Sequence, residues 1–154
     1  VTSPVPPADP HRLPVTFRPT RTRAVLIGIG VALVVVLTVM SLLLESFTTG
    51  DRVTFITTGL LGLGVLALLS RPKVVATEDG VTVTNLTTVR RLAWAQIVRV
   101  NLRSGDSWVH LDLSDGTSLP AMGIQTGIDR QRAIADARAL RALVDAHGTV
   151  HSAD

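Results

Sequence analysis

No cysteine occurs anywhere in these 154 residues, which excludes a disulfide framework, a thiolate metal site and a cysteine nucleophile together. Tyrosine is absent as well, and the only tryptophans are Trp94 and Trp108. Lysine appears once, at Lys73, so the basic balance of the chain rests on fourteen arginines. Charge of either sign is missing from two stretches, 24–44 and 53–70. A basic chain raises the question of nucleic acid, and the placement of its charge answers it. Before position 24, Arg12, Arg18, Arg21 and Arg23 stand against Asp9, whereas from Arg71 onward ten basic residues face nine acidic ones. The surplus sits beside the uncharged stretches, where it orients a membrane protein, and no nucleic-acid partner is expected.

A helix needs about 20 apolar residues to cross a hydrocarbon core about 30 Å thick. The run 24–44 meets that length. The run 53–70 is shorter and opens with Thr54, Thr57 and Thr58, whose hydroxyls can bond back to a carbonyl one turn earlier. So short a chain has too little other surface to wrap two helices that are apolar on every face, which predicts a transmembrane hairpin over 24–70. The first run exceeds the roughly 7–15 apolar residues of a signal peptide and lacks a small-x-small cleavage site after it, so it is expected to persist. Arg18, Arg21 and Arg23 before the first span, with Arg71 and Lys73 after the second, set the topology. Both termini are expected in the cytoplasm of a multi-pass plasma-membrane protein, with 45–52 outside. Gly28, Gly30, Gly59, Gly62 and Gly64 lie inside the apolar spans and read as close-packing positions, Gly28 with Ala32 for example, and not as a phosphate cradle. Oligomerisation through the hairpin stays open. The segment 1–23, with six prolines, is expected to be a disordered cytoplasmic tail, and 149–154 a disordered end.

After position 70 the hydrophobic period falls to two. Short strands are predicted at 74–77, 81–86, 89–93, 98–102, 108–113 and 117–122, joined by turns at Glu78-Asp79-Gly80, Ser104-Gly105-Asp106 and Ser114-Asp115-Gly116. Gly80 and Gly116 read as structural turn glycines. Val98, Val100 and Leu102 are placed on one face, with Arg99, Asn101 and Arg103 on the other; Val109, Leu111 and Leu113 share a core face. From Asp129 as N-cap, 130–147 reads as an amphipathic helix with Ile134, Ala137, Leu140, Leu143 and Val144 as its stripe and Gly148 as its end. The fold class is α+β: a helical hairpin, then an antiparallel β domain of about six strands with a C-terminal helix over 71–148. That domain is expected to fold alone.

The steps Asp79-Gly80-Val81-Thr82-Val83, Arg90 to Ile97 with Trp94 between them, and Asp115-Gly116 resemble, in order and spacing over 74–119, the bacterial PH-like domains of actinobacterial membrane proteins, the low-molecular-weight antigen 6 family in particular. The resemblance implies a strongly bent sheet closed at one end by the helix. It brings no enzymatic activity, no cofactor and no catalytic residues.

Trp94, at a step between strands, is expected to anchor the core with its indole N–H on a partner. Trp108 opens its strand opposite the face of Val109 and Leu111 and is expected to point outward. His110 shares its face with Asp112, and no serine stands at a spacing that suggests a triad. His147 and His151 are four apart, but two ligands across a glycine make no metal site. Arg90, Arg91, Arg99 and Arg103 read as a solvated strand face. Trp108, His110 and Arg103 are the expected contact set for a protein partner. The predicted function is therefore a non-enzymatic, membrane-anchored recognition or scaffolding module. An accessory subunit of a membrane complex and a module resting on anionic lipid stay open beside it.

Overall fold

The computed structural model describes residues 13–150, so the first four prolines, Arg12 and His151 lie outside the described residues. The chain divides into two compact units. One is Thr20–Arg71, and the other joins the residues up to Pro19 with those from Pro72 onward.

The first unit is a helical hairpin of α1 (Thr20–Leu43) and α2 (Thr49–Leu69). Both helices are long and apolar enough to cross a membrane. Each starts four residues earlier than its apolar run, because polar residues extend it. At α2 the extension has a capping box: Thr48 Oγ1 accepts from the Asp51 N–H at 3.3 Å, and the Asp51 carboxylate accepts from the Thr48 N–H at 2.9 Å, satisfying two donors that a bare helix end leaves open. Phe47 and Phe55 meet across this corner with ring centroids 5.0 Å apart. Thr58 donates to the Thr54 carbonyl at 2.8 Å and Thr54 to that of Gly50 at 3.0 Å, the back-bonding expected of hydroxyls in an apolar helix.

The two helices approach through Gly30, Gly59 and Gly62. A Cβ on Gly59 would lie 3.2 Å from Val34 Cα, and one on Gly30 or Gly62 would lie 2.7 Å from a leucine methyl of the facing helix. Gly28, expected in that role, faces away and has nothing within 4 Å of its Cβ position. The one-turn spacing to Ala32 was present, but only the helix rotation decides which glycine meets a neighbour.

The second unit holds seven strands in two antiparallel sheets and a C-terminal helix. The first sheet has the order β1 (Val15–Phe17), β2 (Lys73–Thr77), β3 (Gly80–Thr84) and β4 (Val89–Leu92). The second has β5 (Ile97–Asn101), β6 (Trp108–Leu113) and β7 (Ser118–Gln125). A single 3-10 turn at Trp94–Gln96 joins the sheets, and α3 (Arg130–Val150) closes the domain. Alternation builds the core: Val74 and Ala76, Val81 and Val83, then Val109, Leu111 and Leu113 point inward, against Leu140, Leu143 and Val144 of α3. The helix stripe is as expected except that Ala133 takes the buried place and Ile134 is only half-buried.

Four expectations are corrected here. Val15–Phe17, assigned to the disordered tail, forms β1, with Val15 opposite Ala76 and Phe17 opposite Val74. Phe17 is 4% exposed and belongs to the core, a burial that contributes about 1.5–3 kcal/mol. Arg21 and Arg23 accordingly lie in α1, and Lys73 is the first residue of β2. Val98 does not share the face of Val100: the register shifts between Ile97 and Arg99, a bulge that turns Ile97 inward and leaves Val98 64% exposed. Gly148 does not end α3, which runs on to Val150, since one glycine in a helix costs only about 1 kcal/mol.

Two contacts close the sheets on each other, and neither is visible as a pattern in the chain. At Gly123 a Cβ would lie 2.6–2.7 Å from the backbone of Lys73 and Val74, so the missing side chain lets β7 cross β2 directly. Asn85, just after β3, donates from Nδ2 to the Pro120 carbonyl at 2.8 Å and accepts from the Met122 N–H at 3.1 Å through Oδ1. Gly80 has a φ of +149°, and a Cβ there would lie 2.1 Å from the Leu92 carbonyl oxygen. Gly116 has φ +84° beside Asp115, whose carboxylate accepts from the Thr117 hydroxyl and N–H. Those bonds hold the Asp115 carboxyl below its ordinary range.

Asp136 on α3 carries the opposite shift. Burial pushes its carboxyl above the usual range, Arg132 at 4.0 Å opposes this, and Asp129 adds to it. A folded-state value above the unfolded one means that the native protein binds the proton more tightly, so stability falls as pH rises through and above the ordinary carboxylate range. Asp136→Asn is expected to raise the thermal midpoint at pH 7 and to leave it nearly unchanged near pH 3; equal gains at both would place the effect outside titration.

Candidate functional site

The outward face of the second sheet gathers polar side chains because β5 and β6 are linked by a short turn and paired in register, with Asn101 opposite His110 and Arg99 opposite Asp112. Asn101, Arg103, Asp106, His110, Asp112 and Ser118 line an open cavity of about 290 Å³. Its two carboxylates are already engaged. Asp106 Oδ2 accepts from the Arg103 N–H at 2.9 Å and stands 3.8 Å from His110 Nδ1. Asp112 accepts from Asn101 Nδ2. Thr126 ties down the same turn, donating its hydroxyl to the Asp106 carbonyl at 2.7 Å.

Of the three residues expected to meet a partner, Arg103 and His110 thus come together at one cavity. Trp108 does not line it. It pairs with Gln125 where the register of β6 and β7 jumps, so that Val109 already faces Ala121, and it is half-buried on the rim of the same sheet. Sequence reasoning placed Asn101 on the face of Arg103 and missed Asp106 and Ser118 as members of this group. Asp112 was legible from the alternation, but Ser118 joins only through the cross-strand pair Asp112 with Ser118.

A serine, a histidine and two aspartates around one cavity invite comparison with a hydrolytic triad. The geometry lacks its two defining bonds. The His110–Asp106 separation of 3.8 Å is too long for an orienting hydrogen bond, and among the described residues none joins Ser118 to His110. Nor is there, among the described residues, a cluster of acidic and imidazole groups that could hold a metal ion. The surface presents a guanidinium, an imidazole and an indole on one sheet.

Trp94 sits elsewhere and serves the core. It is buried, and its indole N–H is shared between the carbonyls of Thr77 and Glu78, each at 3.1 Å. His147 of α3 stacks on the ring at a centroid distance of 4.4 Å and an angle of 15°, with its Nδ1 2.8 Å from the Leu143 carbonyl. This stack fastens the helix to the turn between the sheets. A second open cavity, of about 390 Å³, lies around the β2–β3 turn and includes Asp79, Thr82 and Arg91.

Two sheets of four and three antiparallel strands closed by a C-terminal helix agree with the α+β class expected from the sequence, whereas the resemblance implied one strongly bent sheet. The family profile of the bacterial PH domain matches residues 71–143. Over these residues the chain is similar to a bacterial PH domain. An uncharacterised protein of Mycobacterium bovis and two of Mycobacterium tuberculosis are each 33% identical to it over 98 residues, 64% of this chain and 63% of the relative. The chain thus spans less than two thirds of the curated relatives it matches. No solved structure matches it. The matched domain is discontinuous in this chain: β1, upstream of the matched residues and of both helices, completes its first sheet.

Proposed function

We propose that the protein is a membrane-anchored, non-catalytic PH-like module that recognises a protein partner at the cytoplasmic face of the plasma membrane. The observation that carries this reading is the insertion of the apolar hairpin between two paired strands. Phe17 stands opposite Val74, and both helices lie between them in the chain. Two crossings return the chain to the side it left and satisfy the pairing. One crossing would separate the partners by about 30 Å of hydrocarbon. This pairing supports a common side without appeal to charge, and Arg18, Arg21, Arg23, Arg71 and Lys73 support the cytoplasmic one. The helices support the same reading by what they leave open: Val36, Leu42, Leu61 and Val65 are all more than half exposed, a surface suited to lipid and costly in water.

Topology has a direct test. With Ser46→Cys the protein is expected to react with an impermeant thiol reagent on whole cells, and with Ser118→Cys only after lysis. The reverse pattern would place the PH domain outside.

For recognition, Trp108, His110 and Arg103 form the contact surface. Interface energy concentrates in tryptophan, tyrosine and arginine, and this surface holds two of these types. Trp108→Ala is expected to weaken recovery of a cross-linked partner about tenfold, equivalent to about 1.4 kcal/mol, with little change in thermal midpoint. A lowered midpoint with unchanged recovery would return Trp108 to a packing role.

A further inference from the structure

The first sheet leaves one long edge open. β4 pairs with β3 and with no strand on its other side, and among the described residues nothing else bonds to the backbone of 89–91. In an antiparallel ladder alternate residues aim their N–H and C=O away from the paired neighbour, so β4 carries a row of outward donors and acceptors. The other edges are covered or broken: α3 lies against β5, β7 crosses β2, and β1 has only three residues between Pro14 and Pro19. β4 itself contains no proline or glycine, and its register with β3 runs without a bulge from Leu92 opposite Val81 to Val89 opposite Thr84.

This edge is cationic. Arg90 and Arg91 stand side by side at its centre, both exposed, and Val89 beside them is 60% exposed. No carboxylate occurs in the sequence from 80 to 105, and among the described residues neither guanidinium forms an ion pair. Two carboxylates lie in the neighbourhood. Asp115 acts on Arg90 at longer range while its Oδ1 is taken by Thr117, and Asp79 lines the open cavity shared with Arg91 but belongs to the β2–β3 turn, beyond the Leu92 end of the strand. Charge on an edge strand ordinarily keeps copies of one sheet apart. Two β4 strands laid antiparallel would set arginine against arginine, and like charges across a pair destabilise it. The same side chains favour a strand of opposite charge.

We propose that β4 is a docking edge for an extended acidic segment of a partner protein, which adds to the first sheet as a further strand. Backbone bonds to the open row hold the segment, carboxylates opposite Arg90 and Arg91 pair with the guanidinium groups, and an aliphatic residue opposite Val89 covers that side chain. Laid antiparallel, the segment reads acidic, acidic, aliphatic from its N-terminal side. Successive residues of a strand point to opposite faces, so the two carboxylates must reach one guanidinium on each face of the sheet, which an extended segment does and a helix does not. This edge is separate from the set Trp108, His110 and Arg103, and the proposal does not rest on the role of that set.

The test uses the full chain in an uncharged detergent and a fluorescent heptapeptide with blocked ends, built of threonine with two adjacent glutamates and then a valine at its centre. Anisotropy is expected to show binding about tenfold weaker when both glutamates are replaced by glutamine, and likewise for the Arg90→Gln, Arg91→Gln double variant of the chain. The Arg138→Gln, Arg141→Gln variant, which removes the same charge from exposed positions of α3, is expected to bind the glutamate peptide unchanged. Two further peptides carry N-methyl groups on one or the other alternate set of amides. Only the set that faces β4 should abolish binding, because only those N–H groups enter the ladder. Equal binding of the glutamate and glutamine peptides would overturn the selection by charge, and equal binding of the two methylated peptides would overturn strand addition. No binding of any peptide would leave the arginines as guards of the edge and overturn the proposal as a whole.

Discussion

A β domain cut out as residues 71–148 is expected to be less stable, by about 3–5 kcal/mol, than one in which residues 13–18 are joined to Pro72 through two glycines. The shorter fragment lacks Phe17, and emptying a buried phenylalanine site costs about that much. It also leaves the outer edge of β2 unpaired along Val74, Val75 and Ala76, a row of open donors and acceptors that invites association. Small domains have about 5–15 kcal/mol in total, so the loss brings the fragment close to unfolding at 37 °C. The joined version needs only a tight connection, because Phe17 and Val74 are already neighbours. Urea denaturation of both fragments measures the difference directly. Coincident midpoints would mean that β1 is an ornament of the sheet and that the domain is complete from position 71, as the chain read alone suggested.

A second large effect is expected at Leu111. It is fully buried at the centre of β6, between Val100 on one side and Leu119 on the other. Leu111→Asp removes an aliphatic side chain, worth about 2–5 kcal/mol by truncation alone, and puts an unpaired carboxylate in its place, which adds desolvation. The domain should not hold its fold at neutral pH. Thr82→Asp makes the same charge on the outward face of β3, opposite Arg91, where surface substitutions stay within about 0.5 kcal/mol. Thermal midpoints of the two variants in one background provide the comparison, and equal tolerance would mean that the inward and outward faces of the strands have been exchanged.

The two long apolar helices were legible because they depend on composition over long windows, which no tertiary contact alters. The strands with two-residue alternation were legible for a related reason: a half-buried sheet imposes its period on the chain wherever it runs for five residues or more. Trp94 was recognisable as an anchor from its place at a step between strands, and its two carbonyl acceptors agree. Of the candidate surface, the shared face of Trp108, His110 and Asp112 could be read from the same alternation.

What escaped was short or distant. Val15–Phe17 is three residues long and follows a proline-rich segment, so no period could develop, and its partner strand lies beyond fifty intervening residues. The bulge at Val98 depends on how β5 meets β6, since a local alternation is silent about where one residue drops out of register. Gly123 carried no signal as a crossing point because a glycine after a methionine in a strand looks like any weak strand position. Asn85 acquires its place from partners 35 and 37 positions away, whereas Asp106 and Ser118 take theirs from a turn and a cross-strand pair between consecutive strands.

By itself the sequence determined the types of the longer elements, the apolar hairpin, the inward set of β6, most of that of α3, and the turn glycines, all set by local sterics and by hydrophobic periods within one segment. The tertiary structure alone decided that the hairpin interrupts the β domain, which glycines meet across the helices, and which polar groups share a cavity. Those depend on rotation and register between segments, quantities that a single strand or helix does not carry.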